Sequence, residues 1–247
     1  MEEPAYFTMP DGRRIAYRFA PGRGPALVFL PGYMSDMSGS KATAVFDWAR
    51  GNGQACLLLD YSGCGASSGA FAEGTLSRWA EEVAALIEAR CDGPVILVGS
   101  SMGGWLMLLV ALKLGEQLAG LVGIAAAPDF TEWGYVPEQG AALERGETVF
   151  EANPYGPEPT PTHAALWADG QRSRVLHGKI GLACPVRLLH GQADEDVPWE
   201  VSLELAAALH SPDVQVTLIK GGDHRLSRET DIALLLRIIA ALADQTA

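Results

Sequence analysis

A serine framed by glycines, Gly99-Ser100-Ser101-Met102-Gly103, is the stretch of this sequence best suited to covalent chemistry. An apolar run, Pro94-Val95-Ile96-Leu97-Val98, precedes it, and a helical pattern from Gly104 to Leu112 follows. A G-x-S-x-G between a buried strand and a helix is the sequence form of a nucleophile elbow, a sharp turn that lifts the serine hydroxyl out of the backbone. Side chains two residues before or after the serine would collide with such a turn, so both places favour glycine. A hydroxyl is a poor nucleophile near neutral pH, so Ser101 needs a base, and the base needs an orienting acid. Of five histidines, His224 fits the base, because Lys220-Gly221-Gly222-Asp223-His224-Arg225 lies between the last strand pattern and the last helix pattern. For the acid, Asp194 follows the preceding strand in His190-Gly191-Gln192-Ala193-Asp194. Asp196 stands nearer the next helix, where a carboxylate can also serve as a cap. Asp129, after the strand that follows the elbow helix, is an outsider whose plainer role is capping the helix after it. The remaining histidines read as structural: His190 as a strand end, His210 as a helix end, and His163 and His177 as parts of an irregular segment.

A developing oxyanion needs two backbone N–H donors. Met102 offers one at the start of the elbow helix, and Tyr33 offers the other from Leu30-Pro31-Gly32-Tyr33-Met34-Ser35-Asp36, where Gly32 permits close approach to the serine. Met34 and Met37 of this loop and Trp133 are the candidate substrate contacts, methionine being suited to adaptable apolar surfaces.

The elements that must position these residues alternate along the chain. Ala5–Met9 and Arg13–Phe19 flank the hairpin signal Pro10-Asp11-Gly12. Strand patterns at Ala26–Leu30, Ala55–Leu59, Val95–Val98, Leu121–Ala126, Val186–Leu189 and Val214–Ile219 are separated by helical ones. Thr75 is a plausible N-cap for the helix over 75–89. Such alternation predicts an α/β fold, a mostly parallel sheet with helices on both faces. From Asp129 to about Leu182 the rhythm breaks into a Pro- and Gly-rich, aromatic-dotted segment, too long for an ordinary loop and too short for a domain. We read it as a cap insertion, 129–182, over the C-terminal edge of the sheet, in a chain forming one domain over 1–247.

The 247 residues are 48% hydrophobic and carry a formal net charge of −12. These values suit a globular chain and weigh against nucleic acid as a partner. No apolar run reaches the length of a membrane span. The acidic Met1-Glu2-Glu3-Pro4 start resembles neither a signal nor a transit peptide, which leads us to expect a cytoplasmic protein. Cys56, Cys64, Cys91 and Cys184 show no metal spacing and read as reduced thiols, and no motif calls for a metal or cofactor. Gly63-Cys64-Gly65-Ala66-Ser67-Ser68-Gly69 could pass for a dinucleotide fingerprint, but its third glycine is one residue late.

Together these residues resemble the α/β-hydrolase family, and the resemblance spans nearly the whole chain. It is carried by Phe29-Leu30-Pro31-Gly32-Tyr33, Asp60-Tyr61-Ser62-Gly63, Leu97 through Leu108, Arg187-Leu188-Leu189-His190-Gly191, Val197-Pro198-Trp199 and Asp223-His224-Arg225. More narrowly, Gly104-Trp105-Leu106-Met107 and Asp223-His224-Arg225 resemble a branch that cleaves protein-borne palmitoyl thioesters and acyl glucuronides, and the chain looks like a bacterial relative of it. The resemblance implies an eight-stranded sheet, a Ser101–His224–Asp194 triad, an acyl-enzyme intermediate, and a small-molecule or protein-borne acyl ester or thioester as substrate. Acyl glucuronides and general carboxylic esters are the alternative substrates. A non-catalytic protein holding an apolar ligand on the same fold is the competing class.

Overall fold

In the computed structural model of the protein, which describes residues 3–153 and 156–246, the chain opens with β1 (Ala5–Thr8) and β2 (Arg14–Ala20), the antiparallel hairpin expected around Pro10-Asp11-Gly12. Then follow β3 (Arg23–Leu30), α1 (Ser40–Asn52), β4 (Gln54–Leu59), α2 (Leu76–Arg90), β5 (Val95–Ser100), α3 (Met102–Leu114) and β6 (Leu118–Ile124). The irregular segment contains α4 (Phe130–Trp133), α5 (Pro137–Glu144), the short antiparallel pair β7 (Val149–Glu151) and β8 (Thr160–Thr162), and α6 (Ala164–Arg172). The chain closes with β9 (Val186–Gly191), α7 (Glu200–Ala208), β10 (Val214–Ile219) and α8 (Glu229–Gln245). Met1 and Glu2 of the acidic start, and Pro154 and Tyr155 of the irregular segment, lie outside the described residues.

Eight strands form one sheet in the order β1-β2-β4-β3-β5-β6-β9-β10, antiparallel at the β1–β2 and β2–β4 pairs and parallel from β4 onward. The expected α/β-hydrolase architecture is present. Its central strands are apolar throughout because both faces are covered. Val28, Leu57 and Leu97 face the cluster built with α2, α3 and α7, while their neighbours Leu27, Leu58 and Ile96 face α1 and α8. This is the period-two alternation of a strand shared between two cores.

The strand order has a functional corollary. The chain passes from β3 to β4 on one side and returns past β3 to β5 on the other, so the order reverses between β3 and β5. In open α/β sheets, ligands bind in the crevice outside such a switch point, at the carboxyl ends of the strands. The loop after β3 carries Tyr33, and the turn after β5 carries Ser101.

One strand boundary shifts by a few residues. β6 ends at Ile124 rather than Ala126, because Ala125 takes a positive φ of 43° and Ala127 turns back to donate its N–H to the Ser101 carbonyl at 3.1 Å. The glycine-rich 63–69 loop is folded around the Asp60 side chain, which accepts from Ala66 N–H at 2.9 Å. An internal carboxylate therefore uses a donor that a phosphate cradle would need. Thr75 does cap α2, its hydroxyl accepting from Arg78 N–H at 3.2 Å. The four cysteines are free thiols. Among the described residues no helix is long and apolar enough to cross a membrane.

Candidate active site

Ser101 sits between β5 and α3 with φ 54° and ψ −121°, a strained conformation for a residue with a side chain. The neighbouring glycines make the turn possible. A Cβ at Gly99 would collide with the Gly103 carbonyl, and one at Gly103 with the carbonyls of Leu30 and Pro31. The elbow therefore packs directly on the loop after β3, where Gly32 comes close enough that an added Cβ would lie 3.3 Å from Ser101 Cβ.

His224 Nε2 lies 3.1 Å from Ser101 Oγ, and His224 Nδ1 lies 2.9 Å from Asp194 Oδ2. A carboxylate can only accept, so Nδ1 carries the proton, and the bare Nε2 accepts from the serine hydroxyl. The loops bearing Asp194 and His224 are held together by backbone bonds: Ala193 N–H to Gly222 O at 2.9 Å, and Gln192 N–H to Ile219 O at 2.9 Å. Burial alone would raise the Asp194 carboxyl, whose side chain is fully enclosed. Hydrogen bonds from His190 and His224 overcome that and hold it well below the usual carboxylate range. Two backbone donors, Asp196 N–H and Val197 N–H, each 2.9 Å from Oδ1, add to the same effect.

The other two candidate aspartates are bonded differently. Asp196 donates its N–H to Asp194, and its exposed side chain lies along the cleft. Carboxylate and ring atoms of Asp194, Asp196 and His224 lie within 4.8 Å of one another, but His224 Nδ1 is committed to Asp194. Asp129 occupies the N-cap position of α4, but its side chain makes no capping bond to it. Its carboxylate instead accepts from Val175 N–H at 2.9 Å and Leu176 N–H at 2.8 Å, tying the start of the irregular segment to its end.

Among the described residues, the N–H groups of Tyr33 and Met102 donate to no other protein group, which leaves both available beside Ser101. Four bonds fix the Tyr33 loop. Ser35 N–H closes a turn on Gly32 O at 3.1 Å, and Tyr61 OH donates to Pro31 O at 3.1 Å. Met37 N–H donates to Asp60 Oδ1 at 2.7 Å, and Tyr33 OH donates to Pro161 O on β8 at 2.7 Å. Asp60 and Tyr61 thus brace this loop, a role that their position at the end of a strand pattern did not disclose.

A cleft of about 690 Å³ opens over Ser101 and His224. Met34, half exposed at φ 52°, and Trp133 line it. Met37 does not. It is 2% exposed and packs in the core with Ala42 and Val45 of α1, because its N–H bond to Asp60 turns that end of the loop inward. Phe130 and Tyr135 add to an aromatic wall, while Lys41, Arg225 and Ser227 form a polar one. Burial and the neighbouring Arg225 pull the Lys41 ammonium down to about 8, and its Nζ donates to the Arg225 carbonyl.

The model of the Alpha/beta hydrolase family matches residues 27–237. The chain belongs to the α/β-hydrolase family. This hydrolase is 38% identical over 245 residues to the human protein named palmitoyl-protein thioesterase ABHD10, mitochondrial, covering 98% of this chain and 80% of that protein. The mouse protein of the same name is 41% identical over 237 residues, covering 94% of this chain and 79% of that one. Among solved structures, a putative hydrolase from Agrobacterium vitis superposes with a TM-score of 0.92 at 41% identity, covering 98% of each chain. Mouse α/β hydrolase domain-containing protein 10 also gives 0.92, at 36% identity over the full length of both.

Proposed function

We propose that this α/β-hydrolase is a serine acyl hydrolase that cleaves acyl thioesters or carboxylic esters, with Ser101, His224 and Asp194 as its triad. The observation that carries the reading is the continuous chain from Ser101 Oγ through His224 to Asp194 at the floor of an open cleft. His224 Nε2 takes the proton as Ser101 Oγ attacks the acyl carbonyl. The resulting oxyanion is met by the Tyr33 and Met102 N–H groups. Collapse expels a thiolate or alkoxide, which takes the proton back from His224, and leaves the acyl group on Ser101. Water, deprotonated by His224, then attacks that ester, releasing the carboxylic acid and restoring the serine hydroxyl. Asp194 holds the imidazole in the one tautomer that can do this.

Similarity to the thioesterases named above supports a thioester as the bond cleaved, with the acyl chain against Met34, Phe130 and Trp133. A second reading, an oxygen ester with a polar leaving group, is favoured by the wall of Lys41, Arg225 and Ser227. A fluorophosphonate probe, which needs an activated serine, is expected to label Ser101. Ser101→Ala should lose the label and about 10⁴-fold or more in turnover. An unlabelled native protein would sink the reading. Turnover of acyl thioesters of graded length beside matching oxygen esters separates the two substrate classes.

A further inference from the structure

His190, next to last in β9, has its side chain fully buried, and it bonds to the proposed catalytic acid. Its Nε2 lies 3.1 Å from Asp194 Oδ2, the same oxygen that His224 engages, and 3.1 Å from the Val197 carbonyl. Its Nδ1 lies 2.7 Å from Ser202 Oγ, on α7. A carbonyl and a carboxylate both only accept, so Nε2 must carry the proton. In the neutral ring Nδ1 is then bare, and the Ser202 hydroxyl donates to it. One neutral tautomer satisfies every polar atom of the ring, and no unpaired charge is buried.

We propose that His190 is a positioning residue for the triad, a second imidazole, locked in its tautomer by Ser202, that aims the Asp194 carboxylate at His224. The proposal rests on the serine-hydrolase reading above. A satisfied core histidine would need only the Val197 carbonyl and Ser202. The further bond to Asp194 gives the ring its consequence for chemistry. With it, Asp194 holds two backbone donors on Oδ1 and two imidazoles on Oδ2. Without it, Oδ2 faces His224 alone. The carboxylate gains freedom to swing, and its charge is no longer shared with a second donor. His224 then sits beside a stronger anion, so its imidazolium is stabilised and it titrates at higher pH.

The other charged groups along His224's side of the cleft are Asp196, Glu195, Arg225 and Lys41. On β10 the residue paired with His190 is the apolar Leu218, so Asp194 is the charged group bonded to it.

The test uses His190→Phe, which keeps bulk without a donor, His190→Gln, which can still donate, and Ser202→Ala, which releases the tautomer lock while leaving the ring. Titration of the His224 ring by NMR reads the effect independently of turnover. His190→Phe should move that titration, and the acid limb of kcat/KM, upward by about half to one pH unit. It should lower kcat about 10- to 100-fold with KM little changed. His190→Gln should recover part of both effects, and Ser202→Ala should shift the titration in the same direction by less. If His190→Phe does not fold, Ser202→Ala and His190→Gln decide. An unmoved His224 titration in the folded variants, with only melting temperature lowered, would make His190 a core residue and overturn the proposal. A native protein that neither turns over nor takes the fluorophosphonate label, yet shows the shifts, would instead overturn the serine-hydrolase reading.

Discussion

Asp194 and Asp196 are two residues apart, but Asp196 lines the cleft while the Asp194 side chain is enclosed, and the bonds around them differ. The Asp194 carboxylate is enclosed and receives four donors, one of them the His224 ring, whereas Asp196 offers it a backbone N–H that any residue would supply. Asp194→Asn should therefore cost on the order of 10⁴-fold in kcat with the fold intact, by favouring the wrong imidazole tautomer. Asp196→Asn should cost little, and steady-state kinetics on the two purified variants checks both. Equal losses would contradict the assignment. Chain order was enough to single out Ser101, His224 and Asp194, which the fold brings into hydrogen-bond contact, because each follows a recognisable strand. It could not separate Met34 from Met37, since which of two nearby methionines turns inward depends on a bond to Asp60, 23 residues further along. Nor could it show that His190, read as a strand end, would meet Asp194, because that needs the loop to fold back on its own strand.

At the level of elements, the capped and buried ones are the ones that the sequence announces. Thr75 marks the start of α2, and its hydroxyl makes the bond that the pattern implied. Thr75→Ala should destabilise the protein by about 1 kcal/mol, measured by urea unfolding, with Thr75→Ser close to native. β6 was harder, for its apolar composition runs on through Ala127 while its backbone leaves the sheet at Ala125. Apolar residues there serve the turn around Ser101 rather than another strand position. The segment after β6 carried too little periodicity to read. Its helices are four, eight and nine residues long, its strands three each, and what orders them is distant. Trp105 of α3 donates its Nε1 proton to Ser173 O at 3.1 Å, and the Asp169 carboxylate at α6 accepts from Ser77 N–H at 2.8 Å. Trp105, within the stretch that makes the sequence distinctive, is thus where the elbow helix grips the end of α6.

Across the whole molecule, a sheet cored on both faces carries a site whose parts come from loops at one edge. Tyr33 joins that site to the irregular segment: it follows Gly32, which packs close to Ser101, and its hydroxyl reaches the Pro161 carbonyl of the β7–β8 pair. A pair of three-residue strands is among the first parts of a fold to open under stress, whereas the sheet core opens last. The protein should accordingly fail in two stages on warming or in urea. Turnover should vanish while far-ultraviolet circular dichroism still reports an intact sheet, and Tyr33→Phe should widen that gap by bringing the loss of turnover forward. Coincident midpoints in both proteins would show the amide to be indifferent to what the hydroxyl holds. Separate midpoints would instead mean that one part-buried hydrogen bond sets the working temperature of this hydrolase, apart from its melting temperature.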